Sequence, residues 1–252
     1  MQINTLYNEN CLDTMSRMPD NFIDLMVTSP PYFNAREYSK YDSIKQYMDS
    51  MEEIFIAVER ILKQSRMCVV NISPIIVPRE SRNSQSYRIP LPFYFVPMME
   101  KIGFEFLEDI IWEKPSGASF NRNGGFFKHR KPLAYKPNIV TEYVLVFKKK
   151  ADFILDRVLK NTSLVGGNYE KTNLWRINPE TKSKHPAPFP EKLVDNIIKY
   201  YSYEDDIVYD SFMGSGTTAK MAIANNRNWI GSEISSEYCN IINERINQIK
   251  LL

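Results

Sequence analysis

A chain of 252 residues with 43% hydrophobic content is long enough for one substantial α/β core, and nothing in its composition asks for a second domain. Its 32 basic and 30 acidic side chains leave a net charge of +2, which excludes the strongly basic footprint of a protein that holds nucleic acid by charge alone. Cys11, Cys68 and Cys239 are widely spaced with no C-x-x-C pair, and only His129 and His185 are available. These residues argue against structural zinc or any His-based metal site, and they fit reduced thiols in a cytoplasmic protein.

The first ten residues are polar, with no basic region followed by an apolar stretch, and the most apolar segments are broken by Asn71, Pro74 and Pro78. Neither a signal peptide nor a membrane span is expected. Residues 22–28 read as a buried strand, and it ends in Ser29, Pro30, Pro31 and Tyr32. Two prolines stiffen this turn and remove two backbone donors, leaving neighbouring carbonyl oxygens free to accept bonds from a ligand. Ser29 adds a short hydroxyl and Tyr32 a flat ring, a combination suited to a planar group that carries an amine, such as a nucleobase. Taken alone, the same residues also suit a surface turn whose Tyr packs on the protein.

Beyond the turn, Tyr47, Met51, Ile54, Phe55, Val58, Ile61 and Leu62 recur at helical spacing before a strand at 67–73. A further helix ends near Gly103, and residues 104–112 and 139–147 read as paired strands. Between Lys114 and Lys150 nine lysines and arginines, among them Arg122, Lys128, Arg130, Lys131 and Lys136, face a single acid, Glu142. Phe120, Phe126, Phe127, Tyr135 and the pair Gly124 and Gly125 are interleaved with them, a mixture that can lie along phosphates and stack on bases. Arg79, Arg82 and Arg88 form a second, weaker basic stretch. Residues 151–184 are the least regular part of the chain.

A Pro-rich turn, 185–190, leads into a helix at 191–201, followed by a short strand at 206–209. Gly214, Gly216 and Ala219 then match the G-x-G-x-x-G/A spacing of a nucleotide-binding loop at a helix N-terminus. The flanks supply the context such a loop needs: a strand before it, a helix at 220–225 after it, and a second strand at 228–234. Glu233 on that strand falls where an acidic side chain meets ribose hydroxyls. The loop therefore reads as a site for an adenosine-containing cofactor. It is not a Walker loop, because Thr217 and Thr218 follow Gly216 with no Gly-Lys-Ser/Thr. Only one helix, 235–250, remains after Glu233, so the other strands precede the loop and the order is permuted relative to a dehydrogenase.

The alternation of elements predicts an α/β fold, a mostly parallel sheet with helices on both faces. Ligands of such sheets gather beyond the carboxyl ends of the strands, so Tyr32 and Gly214 are expected to meet in one cleft.

With these motifs in place the chain resembles an amino-group DNA methyltransferase of the beta order, in which the catalytic motif comes first, the target-recognition region next and the cofactor loop last. The family's Ser/Asp-Pro-Pro-Tyr matches Ser29 to Tyr32. Its Asp-Pro-Phe-x-Gly-Ser-Gly-Thr-Thr motif matches Asp210, Phe212, Gly214, Ser215, Gly216, Thr217 and Thr218, with Ser211 in place of Pro. The family motif over the methionine part of the cofactor resembles the turn with His185, Pro186 and Phe189. Its Gly-Asp-Cys-Leu beside the adenine corresponds to Glu9, Asn10, Cys11 and Leu12, where Asn keeps an acceptor but removes the charge.

The resemblance implies a Rossmann-like methyltransferase fold of one domain over 1–252, with residues 113–184 as a DNA-facing and target-recognition insertion. It implies S-adenosyl-L-methionine as cofactor and double-stranded DNA as partner, and leaves open a cognate restriction endonuclease and a monomer or homodimer. The implied reaction moves a methyl group to the exocyclic amine of a base turned out of the duplex. Tyr32 would stack on that base while Ser29 Oγ and the Pro30 carbonyl accept the amine's hydrogens. No thiol has an environment suited to the nucleophile that carbon-5 methylation needs. Ser at the first motif position is associated in the family with cytosine N4 more often than adenine N6. An RNA or protein methyltransferase and a nucleic-acid-binding module that has lost catalysis remain the alternatives of other classes.

Overall fold

The computed structural model of the protein describes residues 1–34, 40–81, 83–115, 137–155, 165, 169–180 and 189–250. In chain order the elements are β1 (Thr5–Tyr7), α1 (Cys11–Ser16), β2 (Ile23–Thr28), α2 (Ile44–Ile61), β3 (Leu62–Ile72), β4 (Ile75–Val77), β5 (Tyr87–Ile89), α3 (Leu91–Ile102), β6 (Phe104–Glu113) and β7 (Thr141–Lys149). There follow β8 (Leu174–Arg176), α4 (Glu191–Tyr201), β9 (Ile207–Asp210), α5 (Thr217–Ala224), β10 (Asn228–Ser232) and α6 (Ser236–Lys250).

Eight strands form one sheet in the order β1-β10-β9-β2-β3-β7-β6-β8, while β4 and β5 make a separate hairpin. Seven of the eight run in one direction and β7 alone runs against both its neighbours. The sheet is therefore mostly parallel, as the alternation of elements predicts. All six residues of β2 are buried, and they serve two cores by turns. Ile23 and Met26 pack on one face with Tyr47, Phe55 and Phe95 of α2 and α3. Leu25 and Val27 pack on the other with Leu193, Ile197, Ala219 and Ile242 of α4, α5 and α6. Each large apolar side chain fully withdrawn from water contributes roughly 1.5–3 kcal/mol, so a strand apolar on both faces belongs in the middle of the sheet.

Two crossovers leave the middle in opposite directions. From β2 the chain passes through α2 to β3, and from β9 it passes through α5 to β10 on the other side. Between β2 and β9 the strand order thus reverses, which opens a crevice beyond their carboxyl ends.

Three strands depart from the sequence expectation. β3 starts at Leu62 rather than residue 67, because its polar opening is stabilised by charge: Arg66 bonds Asp206 through two nitrogens at 2.5 and 2.9 Å and also reaches Asp24 at 2.9 Å. Paired acids let a buried arginine sit where an apolar residue would be expected. β1 and β8, three residues each, carry too short a pattern to be read alone and are defined by their parallel pairing to β10 and β6. Among the described residues no helix is long and apolar enough to cross a membrane.

Candidate active site

A cleft of about 960 Å³ opens at the reversal point, and Ser29, Pro30, Pro31 and Tyr32 line it together with Asp210, Phe212, Gly214 and Glu233. The two motifs that the chain separates by most of its length share one continuous space.

At one end the cleft is built by the loop after β9. Asp210 is buried at the strand's last position, where its Oδ1 accepts from Thr28 Oγ1 at 2.8 Å and from the Phe212 amide at 3.0 Å. Its Oδ2 accepts from Thr218 Oγ1 at 2.6 Å. Burial outweighs these bonds and pushes the carboxyl up to about 6. Asp210 thereby ties the end of β2, the loop and the first turn of α5 to one point.

The loop's two glycines have different duties. Gly214 adopts a φ of 55° and lines the cleft, and its amide donates to Glu233 Oε2 at 2.8 Å. Gly216, at φ 80°, lies behind the loop, where a Cβ would meet Ile242 of α6 at 3.1 Å. Its small size serves helix packing, whereas the sequence suggested ligand approach. Ser215, Thr217 and Thr218 line the cleft beside Gly214. Behind them, Arg245 of α6 donates to the Ser215 carbonyl at 3.0 Å, to Thr217 Oγ1 at 3.2 Å and to Glu191 Oε1 at 2.6 Å.

Glu233 stands just past β10, with Oε1 accepting the Ser235 amide at 2.9 Å. Burial raises its carboxyl above the ordinary range. A carboxylate has about four acceptor positions, so its bonds to the Gly214 and Ser235 amides leave capacity for hydroxyls in the cleft. Asn10 caps α1 by accepting the Leu12 amide at 2.9 Å and lines the cleft with Cys11, whose thiol burial pushes up to about 12. An inert thiol fits a wall, not a nucleophile. Phe189 also lines the cleft, while His185 and Pro186 lie outside the described residues.

A volume of this size, a carboxylate ready for hydroxyls and a loop whose Gly214 backbone borders the cleft fit an adenosine cofactor. A sequence profile of DNA methylases matches residues 23–244. The chain belongs to the N6/N4 DNA methylase family. It is similar to the orphan methyltransferase M.BamHII of Bacillus amyloliquefaciens, 34% identical over 92% of each chain. In fold it is similar to TTHA0409, a DNA modification methylase of Thermus thermophilus in complex with S-adenosyl-L-methionine, with a TM-score of 0.77, 22% identity and coverage of 96% and 93% of the two chains. It is likewise similar to the cytosine-N4-specific PvuII DNA methyltransferase, with a TM-score of 0.72, 24% identity and coverage of 97% and 86%. S-adenosylmethionine is the cofactor of this family, and the Rossmann-like methyltransferase fold is the one observed.

The far end of the methylase's cleft contains residues that the motifs do not announce: Asn71, Trp112, Lys114, Glu142 and Glu180. Tyr32 Oη donates to Glu142 Oε2 at 2.9 Å, and Asn71 Nδ2 donates to the same oxygen at 2.7 Å. Lys114 Nζ bonds Glu142 Oε1 and sits 4.5 Å from the centre of the Trp112 ring. Burial, and then the neighbouring Glu142, hold the Tyr32 phenol well above its usual range, so it stays protonated as a donor. Lys114, read in the sequence as part of the phosphate-facing run, has its ammonium in the cleft wall. Arg122, Lys128, Arg130, Lys131 and Lys136 lie outside the described residues, as does much of the 113–184 insertion. One signal in the sequence pointed at Glu142: it is the lone acid of a basic segment.

Proposed function

We propose that this DNA methylase transfers the methyl group of S-adenosyl-L-methionine to the N4 amine of a cytosine turned out of double-stranded DNA. The observation that carries the reading is the shared cleft. Ser29, Pro30 and Tyr32 stand at one end and the Asp210 to Thr218 loop with Glu233 at the other. Cytosine is favoured because the catalytic turn begins with Ser29, and the similar PvuII enzyme is described as cytosine-N4-specific.

Bound in the cleft, S-adenosylmethionine supplies an electrophilic methyl group. Glu233 accepts from the cofactor's ribose hydroxyls, and Asn10, Cys11 and Phe189 line its surroundings. Paired amines cannot be reached inside a duplex, so turning the base out costs a few kcal/mol of unstacking, which Tyr32 offsets by stacking. An exocyclic amine is a poor nucleophile because its lone pair is delocalised into the ring. Ser29 Oγ and the Pro30 carbonyl accept its two hydrogens, which favours a pyramidal nitrogen with the lone pair directed at the methyl carbon. A nitrogen–carbon bond forms as the sulfur–carbon bond breaks, and the amine then releases a proton to solvent. Alignment in the closed site supplies much of the acceleration. The basic insertion, residues 113–184, lies along the DNA backbone and carries target recognition, with Arg122, Lys128, Arg130, Lys131 and Lys136 on phosphates.

The test is digestion of DNA methylated by the purified enzyme to nucleosides, followed by mass spectrometry. N4-methylcytosine is expected. N6-methyladenine as sole product would replace cytosine by adenine, and transfer only to RNA or protein would overturn the DNA reading.

A further inference from the structure

Three hydrogen-bond donors converge on one carboxylate at the base end of the cleft. Tyr32 Oη and Asn71 Nδ2 meet Glu142 Oε2, and Lys114 Nζ meets Oε1. The side chain of Glu142 is only 14% exposed and that of Lys114 only 22%. Asn71 is buried too, and its amide orientation is dictated: only its NH2 can face a carboxylate, so its Oδ1 points elsewhere and has no partner among the described residues. Buried acceptors without a partner are uncommon and call for an explanation.

We infer that Glu142 is a positioning residue of the methyl transfer, acting through Tyr32 and Asn71. Its carboxylate pins the phenol oxygen, which stops the Tyr32 ring from turning on its bond and holds the face that stacks on the extruded base. It also fixes the Asn71 amide, keeping the Oδ1 acceptor in place at the base end of the cleft. Lys114 balances the charge, so the carboxylate stays ionised in a partly buried setting. Only a carboxylate fits: two oxygens with about four acceptor positions satisfy three donors, while the isosteric amide would turn an NH2 against them. The inference rests on the proposed function, since it concerns how the base is held.

The test compares wild type, Glu142→Gln, Tyr32→Phe and the double variant. Tritiated S-adenosylmethionine and unmethylated plasmid DNA give kcat and KM, and calorimetry gives the dissociation constant for S-adenosylmethionine. For Glu142→Gln, kcat should fall by about a hundredfold, the usual consequence of a small misplacement of reacting groups. S-adenosylmethionine affinity should stay within about threefold, because the two ends of the cleft are separate. Tyr32→Phe should lower kcat by about tenfold, and the double variant should be no worse than Glu142→Gln alone, since both remove one shared contact.

Unchanged kcat in Glu142→Gln, or independent losses that multiply in the double variant, would overturn the inference while leaving the proposed function intact. Lost S-adenosylmethionine binding in a folded Glu142→Gln would also overturn it, by showing a general structural role. Should that variant fail to fold, Tyr32→Phe decides: a lower kcat at unchanged cofactor affinity supports the inference, and wild-type kcat overturns it. Absence of methyl transfer to DNA by the wild type would remove the proposed function and this inference together.

Discussion

Thr28 Oγ1 donates to Asp210 Oδ1 across 2.8 Å, although 182 positions separate the two residues in the chain. The bond ties the end of β2, from which the catalytic turn departs, to the end of β9, from which the cofactor loop departs. Replacing Thr28 by Val keeps the shape and removes the donor. A lost bond to a charged, buried group should cost about 1–3 kcal/mol of stability and loosen the cofactor loop. Urea unfolding would show the loss, and an unchanged midpoint would show that Asp210 does not depend on Thr28.

Asp210 makes stability depend on pH in a defined direction. Burial raises its carboxyl from 3.8 to about 6, so the native state holds this proton more tightly than the unfolded chain does. Its contribution is most favourable below pH 4, declines as pH rises towards about 6, and is level above that. The span is at most about 3 kcal/mol, taking 1.36 kcal/mol for each pKa unit. Asp210→Asn should abolish this component, so the stability difference between wild type and variant should narrow or reverse from pH 4 to pH 7. Parallel unfolding curves across that interval would contradict it.

Gly216→Ala introduces two costs together. A φ of 80° is left-handed backbone, unfavourable to alanine by about 1–2 kcal/mol, and the new methyl group would press on Ile242 at 3.1 Å. A loss of roughly 2–4 kcal/mol is expected from the sum. Trimming Ile242 to Val should restore part of it, and absence of any rescue would mean that backbone strain alone accounts for the loss.

Arg245 supports the cofactor loop from behind through Ser215 and Thr217, and shares Glu191 with Lys220. Arg245→Met should weaken S-adenosylmethionine binding several-fold without altering the hydrogen-bonded groups around Tyr32. A stability loss of about 1–2 kcal/mol should accompany it, from carbonyl and hydroxyl partners left unpaired. Calorimetry with S-adenosylmethionine checks the first effect, and an unchanged affinity would show that the loop holds its shape unaided.

Local chemistry wrote much of this protein plainly into the order of its residues. The apolar run before Ser29, the Pro-Pro turn, and the glycines and threonines after Asp210 each carry their own physical constraint. Their spacing named the parallel sheet and the permuted order. Other features exist only through partners distant in the chain. β1 and β8 are strands because β10 and β6 offer them hydrogen bonds, and the polar start of β3 is a strand because Asp24 and Asp206 neutralise Arg66. Gly216 reads as a ligand contact until Ile242 stands behind it. Glu142 reads as an isolated acid until Tyr32, Asn71 and Lys114 close around it. Periodicity and turn chemistry act between near neighbours and so survive in one dimension. Charge pairing and close packing act across space, and folding alone decides which groups they join.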